Sequence, residues 1–280
     1  MRVLTVDFND KDAPAKFTES LKNTGFAIIN NHPIETKLIA KVYQEWGEFF
    51  QRDEKNNYLF NRETQDGYFP MLHAETAKGS TIKDIKELFQ VYPWGQYPAT
   101  VSDLARELYI QLSSLAAILL QWLEDNTPAA ISQQFSMPLS HMIYDSPRTM
   151  LRIIHYPPLT GQENSGAMRA AAHEDINLLT LFVGATEPGL QIKDSEGVWH
   201  DVECDLSTIV VNTGDMLQMC SNNYYKSTTH RVVNPQGEAA RLARLAMLLF
   251  LHPNDEVQLS ANHTAMSYLL ERLRELGLRA

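Results

Sequence analysis

Cysteine is scarce in this chain, which contains only Cys204 and Cys220 among its 280 residues. Two cysteines cannot build a disulfide framework, and their spacing is not that of a metal site. We therefore interpret both as buried or partly buried thiols and expect a compartment that keeps thiols reduced, most simply the cytoplasm. The opening segment, MRVLTVDFND, lacks the apolar stretch of a secretory signal, which favours the same location.

Long apolar runs and an excess of positive charge are also missing. No stretch approaches the roughly 20 consecutive apolar residues of a membrane-spanning helix, so we expect no membrane span. Acidic residues outnumber basic ones by 34 to 24, and the net charge of −10 disfavours nucleic acid or an anionic membrane as the main partner. Hydrophobic residues make up 44% of the chain, which is enough for a large buried core.

The first hundred residues are predicted to mix helices with short strands at LTVDF and FAIINN. Residues 57–100 are an exception, follow no long period and are interpreted as an irregular segment. We predict one compact unit with three parts: a helix-rich region at 1–146, a core at 147–255 and a C-terminal helix at 256–280. The clearest helix is predicted over residues 101–124, where apolar side chains recur one helical turn apart, at Leu104, Leu108, Leu112, Leu115, Leu119 and Trp122.

Short strands separated by turn residues follow one another after residue 147. MLRIIHY, NLLTLFVG and RLAMLLFL are strongly apolar examples. LQIK and VWHDV are predicted to form one hairpin, and TIVVN and DMLQM another. Several short strands at this spacing are typical of an antiparallel double-sheet roll or barrel. The predicted fold class is α+β, with a mainly β core and flanking helices.

A histidine and an aspartate stand two positions apart where an apolar strand begins, in AAHEDINLLTLFVG. If the backbone is extended there, His173 and Asp175 face the same side. Further on, in KSTTHRVVN, His230 shares a strand face with Thr228 and Val232. Two imidazoles and one carboxylate form the facial set that holds Fe(II) in non-haem oxygenases, and the same set also suits Zn(II). A solvated turn and a core histidine are the alternatives that involve no metal.

An arginine lies inside an apolar strand, in RLAMLLFL. Arg244 shares its face with Ala246, Leu248 and Phe250, and no acidic residue alternates with it. A buried guanidinium stays charged and must be paired, because an unpaired buried charge is strongly destabilising. Two partners fit it: an aspartate or glutamate from elsewhere in the chain, or the carboxylate of a bound small acid, which a guanidinium binds in a bidentate manner.

The order His173-x-Asp175, His230, Arg244 resembles that of the Fe(II)/2-oxoglutarate-dependent oxygenases of the isopenicillin N synthase-like family. The likeness extends over most of the chain, through GFAIINNHPI, LRIIHYPP, NTGDML and STTHRVVNP. It implies a double-stranded β-helix of the jelly-roll or cupin-like type. It also implies that His173, Asp175 and His230 bind Fe(II), and that Arg244 and Tyr156 hold the distal carboxylate of 2-oxoglutarate. The implied reaction uses O2 to hydroxylate a small organic molecule with release of succinate and CO2. Desaturation and ring closure stay open.

Two positions depart from the family pattern. The serine that usually follows the arginine two positions later is Ala246 here, which removes one hydrogen bond to the cosubstrate, worth about 1–3 kcal/mol. Ile154 stands where plant relatives commonly have asparagine. Two alternatives therefore stay open: an iron oxygenase or oxidase of the same fold that does not use 2-oxoglutarate, and a small-molecule-binding homologue that has lost catalysis. A zinc hydrolase is a third, although the chain has no HExxH motif.

Aromatic residues in QDGYFPM and KELFQVYPWG are candidates for the rim of a substrate cleft. Tyr68, Phe89 and Tyr92 are predicted to pack on the substrate, with core packing as the alternative for each. The C-terminal helix around residues 269–278 either covers the mouth of the barrel or packs against the protein or a second copy of it. No pattern in the sequence names the substrate or the oligomeric state.

Overall fold

The computed structural model describes residues 1–73, 82–203 and 205–275. Cys204 and the predicted end of the C-terminal helix, at 276–278, lie outside the described residues. No helix in the described ranges is long and apolar enough to cross a membrane. The strands are β1 (Thr5–Asp7), β2 (Phe26–Asn30), β3 (Gly67–Phe69), β4 (Glu87–Val91), β5 (Met150–Tyr156), β6 (Ala170–His173), β7 (Leu179–Val183), β8 (Leu190–Lys193), β9 (Trp199–Asp201), β10 (Ile209–Thr213), β11 (His230–Val232) and β12 (Arg244–Leu251). The α-helices are α1 (Ala13–Thr24), α2 (Thr36–Phe50), α3 (Leu104–Asn126), α4 (Ala129–Ser132), α5 (Leu139–Met142), α6 (Asp215–Cys220) and α7 (Ala265–Glu275).

Two sheets form the centre of the molecule. The larger has eight strands in the order β1-β2-β10-β7-β12-β5-β4-β3, and the smaller has four in the order β6-β11-β8-β9. Their inner faces share one apolar cluster, to which Phe182 and Val210 contribute from the larger sheet and Ile192 and Val232 from the smaller. Helices cover the other face of the larger sheet. The α+β class is confirmed, and the architecture is the predicted double-stranded β-helix with flanking helices.

Alternate side chains of β12 face the cavity on one side of the sheet and the helix-covered core on the other. Arg244 and Leu248 line the cavity between the sheets, whereas Met247 and Leu249 pack into the core under the helices. Successive side chains of a strand point to opposite faces, so a run that is apolar at almost every position serves two packed layers. The single charged residue of this strand is therefore directed into the cavity.

The helix predicted over residues 101–124 is α3. Leu108, Leu112 and Leu119 are fully buried, as their helical spacing indicates. The same core includes Leu249 from β12 and Ala265 from α7. One hydrophobic core thus contains residues from all three predicted parts of the chain.

Two segments differ from their predicted structure. Residues 57–100 contain β3 and β4, the edge of the larger sheet, and are not irregular throughout. All five residues of β4 are buried, so the alternation that identifies a half-buried strand is absent there. DMLQM belongs to helix α6 and is not the second strand of a hairpin. Its buried residues Met216, Leu217 and Cys220 lie at helical spacing, which the strand interpretation overlooked.

A buried ionic cluster lies on the face of β4 opposite the cavity. Glu87 is 8% exposed and accepts hydrogen bonds from Lys55 Nζ at 2.8 Å, from His155 Nδ1 at 2.7 Å and from the Tyr68 hydroxyl. Burial raises the pKa of Glu87, but the hydrogen bonds from His155, Lys55 and Tyr68 outweigh burial and hold the pKa below its ordinary value. The cluster ties the segment after α2 to β4 and β5.

The variant Glu87→Gln is expected to lose about 2 kcal/mol of stability near neutral pH, because the partly buried Lys55 keeps its charge without the carboxylate. Since the folded pKa of Glu87 is lowered, the contribution is complete above the ordinary value of 4.5 and is lost as the pH falls through the folded pKa. Urea unfolding from about pH 7 to about pH 3 measures this difference, which we expect to shrink on acidification. Glu48→Gln, which removes an exposed ion pair with Arg52, is the control. Equal losses in the two variants would contradict the role of the cluster.

Candidate functional site

The three predicted metal ligands converge at the start of β11. His173 is the last residue of β6, His230 is the first residue of β11, and the two are paired directly across these antiparallel strands. Asp175 lies two residues beyond β6, in the segment that leads to β7. One donor atom from each side chain lies within 4.8 Å of the other two. Strand pairing thus brings together residues that are far apart in the sequence.

Each imidazole is held by the backbone carbonyl two residues before it. His173 Nδ1 is 2.8 Å from the Ala171 oxygen, and His230 Nδ1 is 3.0 Å from the Thr228 oxygen. A carbonyl oxygen only accepts hydrogen bonds, so Nδ1 of each ring carries the proton and Nε2 carries the lone pair. Both Nε2 atoms lie 3.8 Å from Asp175 Oδ1. Burial lowers the pKa of His230, which favours the neutral form that binds metals.

The carboxylate of Asp175 is buried and oriented by two side chains. Its Oδ2 accepts a hydrogen bond from the Thr180 hydroxyl at 2.5 Å and another from Asn212 Nδ2 at 2.7 Å. Burial raises the pKa of Asp175, but the nearby imidazoles of His230 and His173 and these two donors outweigh burial and hold the pKa below its ordinary value. Oδ2 is therefore engaged by the protein, and Oδ1 faces the two imidazoles.

This donor set fits a divalent transition metal. Two imidazole nitrogens with free lone pairs and one carboxylate oxygen already face one another, and hydrogen bonds to the protein fix all three groups. Three protein ligands on one side of an octahedral ion leave its other positions open for exogenous ligands. The single carboxylate offsets part of the charge of a dication.

The variant Asn212→Leu is expected to weaken metal binding by about 10- to 100-fold, because Asp175 loses a donor that orients it. Leucine is similar in size to asparagine and suits the apolar neighbours of β10, so we expect the fold to persist. Titration of the apoprotein with Mn(II), with the free ion followed by electron paramagnetic resonance, measures the affinity. Asn126→Leu, at an exposed position of α3, is the control. Unchanged affinity in Asn212→Leu would contradict the orienting role.

Arg244 is buried beside the same cavity, and no carboxylate of the described residues pairs with it. It is 1% exposed, and its Nε donates a hydrogen bond to the Glu187 carbonyl oxygen at 2.8 Å. Its Nη1 is buried and meets no hydrogen-bond partner in the described part of the chain. The guanidinium lies 5.1 Å from the ring centroid of Tyr156 and 5.8 Å from that of Phe182. Of the two partners considered for this arginine, a guest carboxylate fits the unpaired nitrogen, and no described carboxylate takes that place.

Tyr156 and Ala246 lie next to this guanidinium in the sheet. Tyr156 pairs with Arg244 across β5 and β12, and Ala246 pairs with Ile154 two residues further along. All four side chains line the cavity. Tyr156 supplies a phenol hydroxyl to the cavity wall beside Arg244, whereas the neighbouring pair, Ala246 and Ile154, is entirely apolar. The position at which the family usually has a serine is therefore a methyl group that faces the cavity.

One cavity connects Arg244 with the three metal-ligating side chains and extends to helix α7. Tyr268 of α7 donates its hydroxyl to Asp215 Oδ2 at 2.8 Å, which ties α7 to α6. The structure thus favours the interpretation in which the C-terminal helix covers the mouth of the barrel. The residues of α7 that line the cavity are Met266, Leu269, Arg272 and Leu273.

The three aromatic residues predicted to contact substrate do not share one location. Tyr92 lines the cavity, but Tyr68 and Phe89 do not, and they belong to the core under the helices. Phe89 packs on Trp46 with ring centroids 5.0 Å apart, and Tyr68 donates its hydroxyl to Glu87. The structure corrects the prediction for these two residues. They are paired across β3 and β4, so both point to the sheet face opposite the cavity.

Sequence reasoning missed several polar residues around the site, namely Thr180, Asn212, His252 and Arg169. Thr180 and Asn212 orient the carboxylate ligand. Asn212 interrupts the apolar strand TIVVN in the same way that Arg244 interrupts its own strand, so the same signal identifies both. His252 lines the cavity, and burial lowers its pKa to about 4, so this imidazole is neutral at physiological pH.

Two family models match the chain in sequence. The model of the 2OG-Fe(II) oxygenase superfamily matches residues 147–253, which contain both sheets' central strands and all the candidate ligands. A model described as non-haem dioxygenase in morphine synthesis N-terminal matches residues 5–107. The two matches together span most of the chain and leave residues 108–146 between them.

Solved structures and characterised relatives agree with these matches. A candidate oxygenase from Shewanella oneidensis is 48% identical and superposes with a TM-score of 0.89 over 99% of both chains. A candidate 2OG-Fe(II) oxygenase family protein from Caulobacter crescentus is 26% identical, with a TM-score of 0.80 over 98% of both chains. A 2-oxoglutarate-Fe(II) type oxidoreductase from Emericella nidulans is 29% identical over 251 residues, which are 78% of this chain and 69% of that protein.

Proposed function

This chain belongs to the Fe(II)/2-oxoglutarate-dependent oxygenases of the isopenicillin N synthase-like superfamily, and we propose that its own His173, Asp175 and His230 hold the iron. It is a 2-oxoglutarate-dependent dioxygenase, with Fe(II) as cofactor and 2-oxoglutarate as cosubstrate. When bound, the ferrous ion and the 2-oxo acid together supply the activation of O2 for attack on an organic substrate. The protein supplies the ligands, the orientation of the reactants and a cavity with a mostly apolar wall.

The convergence of three donor atoms supports the metal assignment. His173 and His230 present neutral nitrogens, because a backbone carbonyl holds the proton of each ring at Nδ1. Asp175 presents an oxygen whose direction is fixed by Thr180 and Asn212. These hydrogen bonds place the ligands before the ion arrives, so little ordering is needed on binding.

The distal carboxylate of 2-oxoglutarate is assigned to Arg244 and Tyr156. The observation that carries this proposal is the buried Nη1 of Arg244, which lacks a partner among the described residues and belongs to a side chain on the cavity wall. A carboxylate placed there pairs the guanidinium and can accept a hydrogen bond from the Tyr156 phenol. A dicarboxylate that extends from Arg244 toward the triad brings its 2-oxo acid end to the metal ligands.

The proposed substrate is a small organic molecule bound in the part of the cavity near α7. Tyr92, Met150, Leu248 and Leu269 line this cavity and give it a largely apolar surface. Apolar walls favour a compact guest and exclude water from the reacting groups. The proposed reaction converts one C–H bond of the substrate into an alcohol. O2 supplies one oxygen atom to that product and the other to succinate, and 2-oxoglutarate loses CO2.

One observation favours a second candidate function. Ala246 and Ile154 leave the cosubstrate wall apolar at the two positions that depart from the family pattern described above. A weaker hold on 2-oxoglutarate is compatible with an iron oxidase of the same fold that uses no 2-oxo acid. The guanidinium of Arg244 favours the dioxygenase over this candidate, because without an anionic guest it is a buried charge with no counter-ion among the described residues.

A substrate screen read out by succinate tests the proposed function. The full chain is supplied with Fe(II), 2-oxoglutarate and air in the presence of a panel of small organic molecules, with Asp175→Ala treated identically. We expect at least one compound to raise succinate release above the substrate-free background and to yield a product heavier by one oxygen atom. A compound that is oxidised with consumption of O2 but without 2-oxoglutarate or succinate would overturn the proposal in favour of the second candidate.

A further inference from the structure

A second buried arginine lies behind the cavity wall that holds Arg244. Arg169 is 0% exposed and directly precedes β6, whose first residue, Ala170, lines the cavity. Its Nη2 donates a hydrogen bond to the Leu242 carbonyl oxygen at 2.8 Å. Its Nε is buried and has no hydrogen-bond partner in the ranges that the structure describes. One nitrogen of this guanidinium is thus anchored to the backbone, and another has no partner among the described residues.

The two arginines lie near each other, because the Leu242 carbonyl oxygen that Arg169 binds is two residues before Arg244 in the chain. Burial lowers the pKa of Arg169, and repulsion from Arg244 lowers it further. Tyr156 and Glu187 act in the opposite direction with smaller effect. Neither guanidinium forms an ion pair with a carboxylate in the described ranges. Two like charges buried together are strongly unfavourable unless an anion compensates them.

The backbone around Arg169 fixes its place relative to Arg244. The Arg169 amide donates a hydrogen bond to Asn234 Oδ1 at 2.8 Å, and Asn234 Nδ2 donates to the Ala167 carbonyl oxygen at 2.8 Å. The Nη2 anchor on Leu242 lies two residues before Arg244 in the chain. Arg169 is therefore attached to the segment that leads into β12. Such an arrangement holds the second charge in position before any guest binds.

We propose that Arg169 is a positioning residue for 2-oxoglutarate. Its positive charge adds to that of Arg244 and stabilises the distal carboxylate, to which Ala246 donates no hydrogen bond. This proposal rests on the proposed function of the site. Arg169 does not line the cavity, so it acts through its field and through the segment that carries Arg244. The anion relieves the repulsion between the two guanidinium groups, and that relief adds to the affinity for a dicarboxylate over a monocarboxylate.

Paired ligands that differ only at the distal end test this proposal. The full chain, loaded with redox-inert Mn(II), is titrated calorimetrically with 2-oxoglutarate and with 2-oxopentanoate, in which a methyl group replaces the distal carboxylate. We expect Arg169→Gln to weaken 2-oxoglutarate binding by about tenfold and to leave 2-oxopentanoate binding within about threefold. Arg169→Lys, which keeps the charge, is expected to restore most of the preference for the dicarboxylate.

The matched control is Arg231→Gln, an arginine of β11 that lies 3.9 Å over the Trp199 ring and does not line the cavity. It is expected to change neither affinity. Equal weakening of both ligands in Arg169→Gln, or no change in either, would overturn the proposal, since a merely structural role does not distinguish the two distal groups. If Arg169→Gln does not fold, Arg169→Lys decides the question. The proposal is overturned if Arg169→Lys loses the wild-type preference for the dicarboxylate. Absence of 2-oxoglutarate binding in the wild-type chain would instead refute the proposed function.

Discussion

Replacing Asp175 with alanine is expected to lower succinate formation by roughly a thousandfold or more, because the only anionic donor of the metal set is lost. Two neutral imidazoles remain, and neither offsets the charge of a dication. Thr180 and Asn212, which now donate to Asp175 Oδ2, lose their common acceptor. We therefore expect the purified variant to contain little iron and to gain little thermal stability from added Fe(II). Metal content and succinate release are measured on the same preparations.

The control for this variant is Asp194→Ala. Asp194 also pairs with a histidine, His200, at 2.7 Å, but the pair lies in the hairpin of β8 and β9 and does not line the cavity. Asp194→Ala removes a carboxylate from another histidine–carboxylate pair, and the variant is expected to keep the iron content of the wild type. Wild-type iron content and turnover in Asp175→Ala would show that the metal is held elsewhere.

The second large effect concerns Arg244. Arg244→Met is expected to weaken 2-oxoglutarate binding by about 30-fold to several thousandfold, the cost of about 2–5 kcal/mol for truncating one partner of a buried charge pair. The effect on the ligand-free protein has the opposite sign. Because Nη1 has no partner in the described part of the chain without the guest, replacing the guanidinium by an apolar side chain is expected to leave the apoprotein at least as stable.

Thermal unfolding with and without 2-oxoglutarate measures both effects of Arg244→Met. With Mn(II) present throughout, the wild type is expected to gain stability on addition of 2-oxoglutarate, and the variant is expected to gain much less at the same concentration. Arg241→Met, an exposed arginine three residues earlier, is the control and is expected to behave as the wild type. A large loss of apoprotein stability in Arg244→Met would indicate a structural counter-charge and contradict the assignment to the cosubstrate.

Burial of polar groups is what made the centre of the site predictable from sequence. A carboxylate at the mouth of NLLTLFVG and a guanidinium inside RLAMLLFL are costly unless something compensates them, and each points into the cavity. The resemblance to a family added the order of the residues and the identity of the guests. His173 and His230 are directly paired in the smaller sheet, which explains why residues so distant in sequence act as one group.

Other features depend on strand register, which the sequence does not contain. The aromatic character of Tyr68 and Phe89 predicts a place at the rim, but their pairing across β3 and β4 directs both side chains into the core. Tyr92, just beyond β4, reaches the cavity instead. Arg169 follows no periodic pattern, and its proximity to Arg244 arises only when β6 and β12 are placed in their separate sheets. Local propensity cannot report such a contact between distant segments.

The most direct test of the assignment of iron and 2-oxoglutarate to one cavity is an anaerobic titration followed by visible absorption. Fe(II) is added to the apoprotein, and 2-oxoglutarate is then added in steps. We expect the weak charge-transfer band of the iron chelate to appear with the second addition and to saturate. Asp175→Ala is expected to give no band, and Arg244→Met a band only at much higher 2-oxoglutarate concentrations. A wild-type chain that binds both components without producing the band would contradict the assignment.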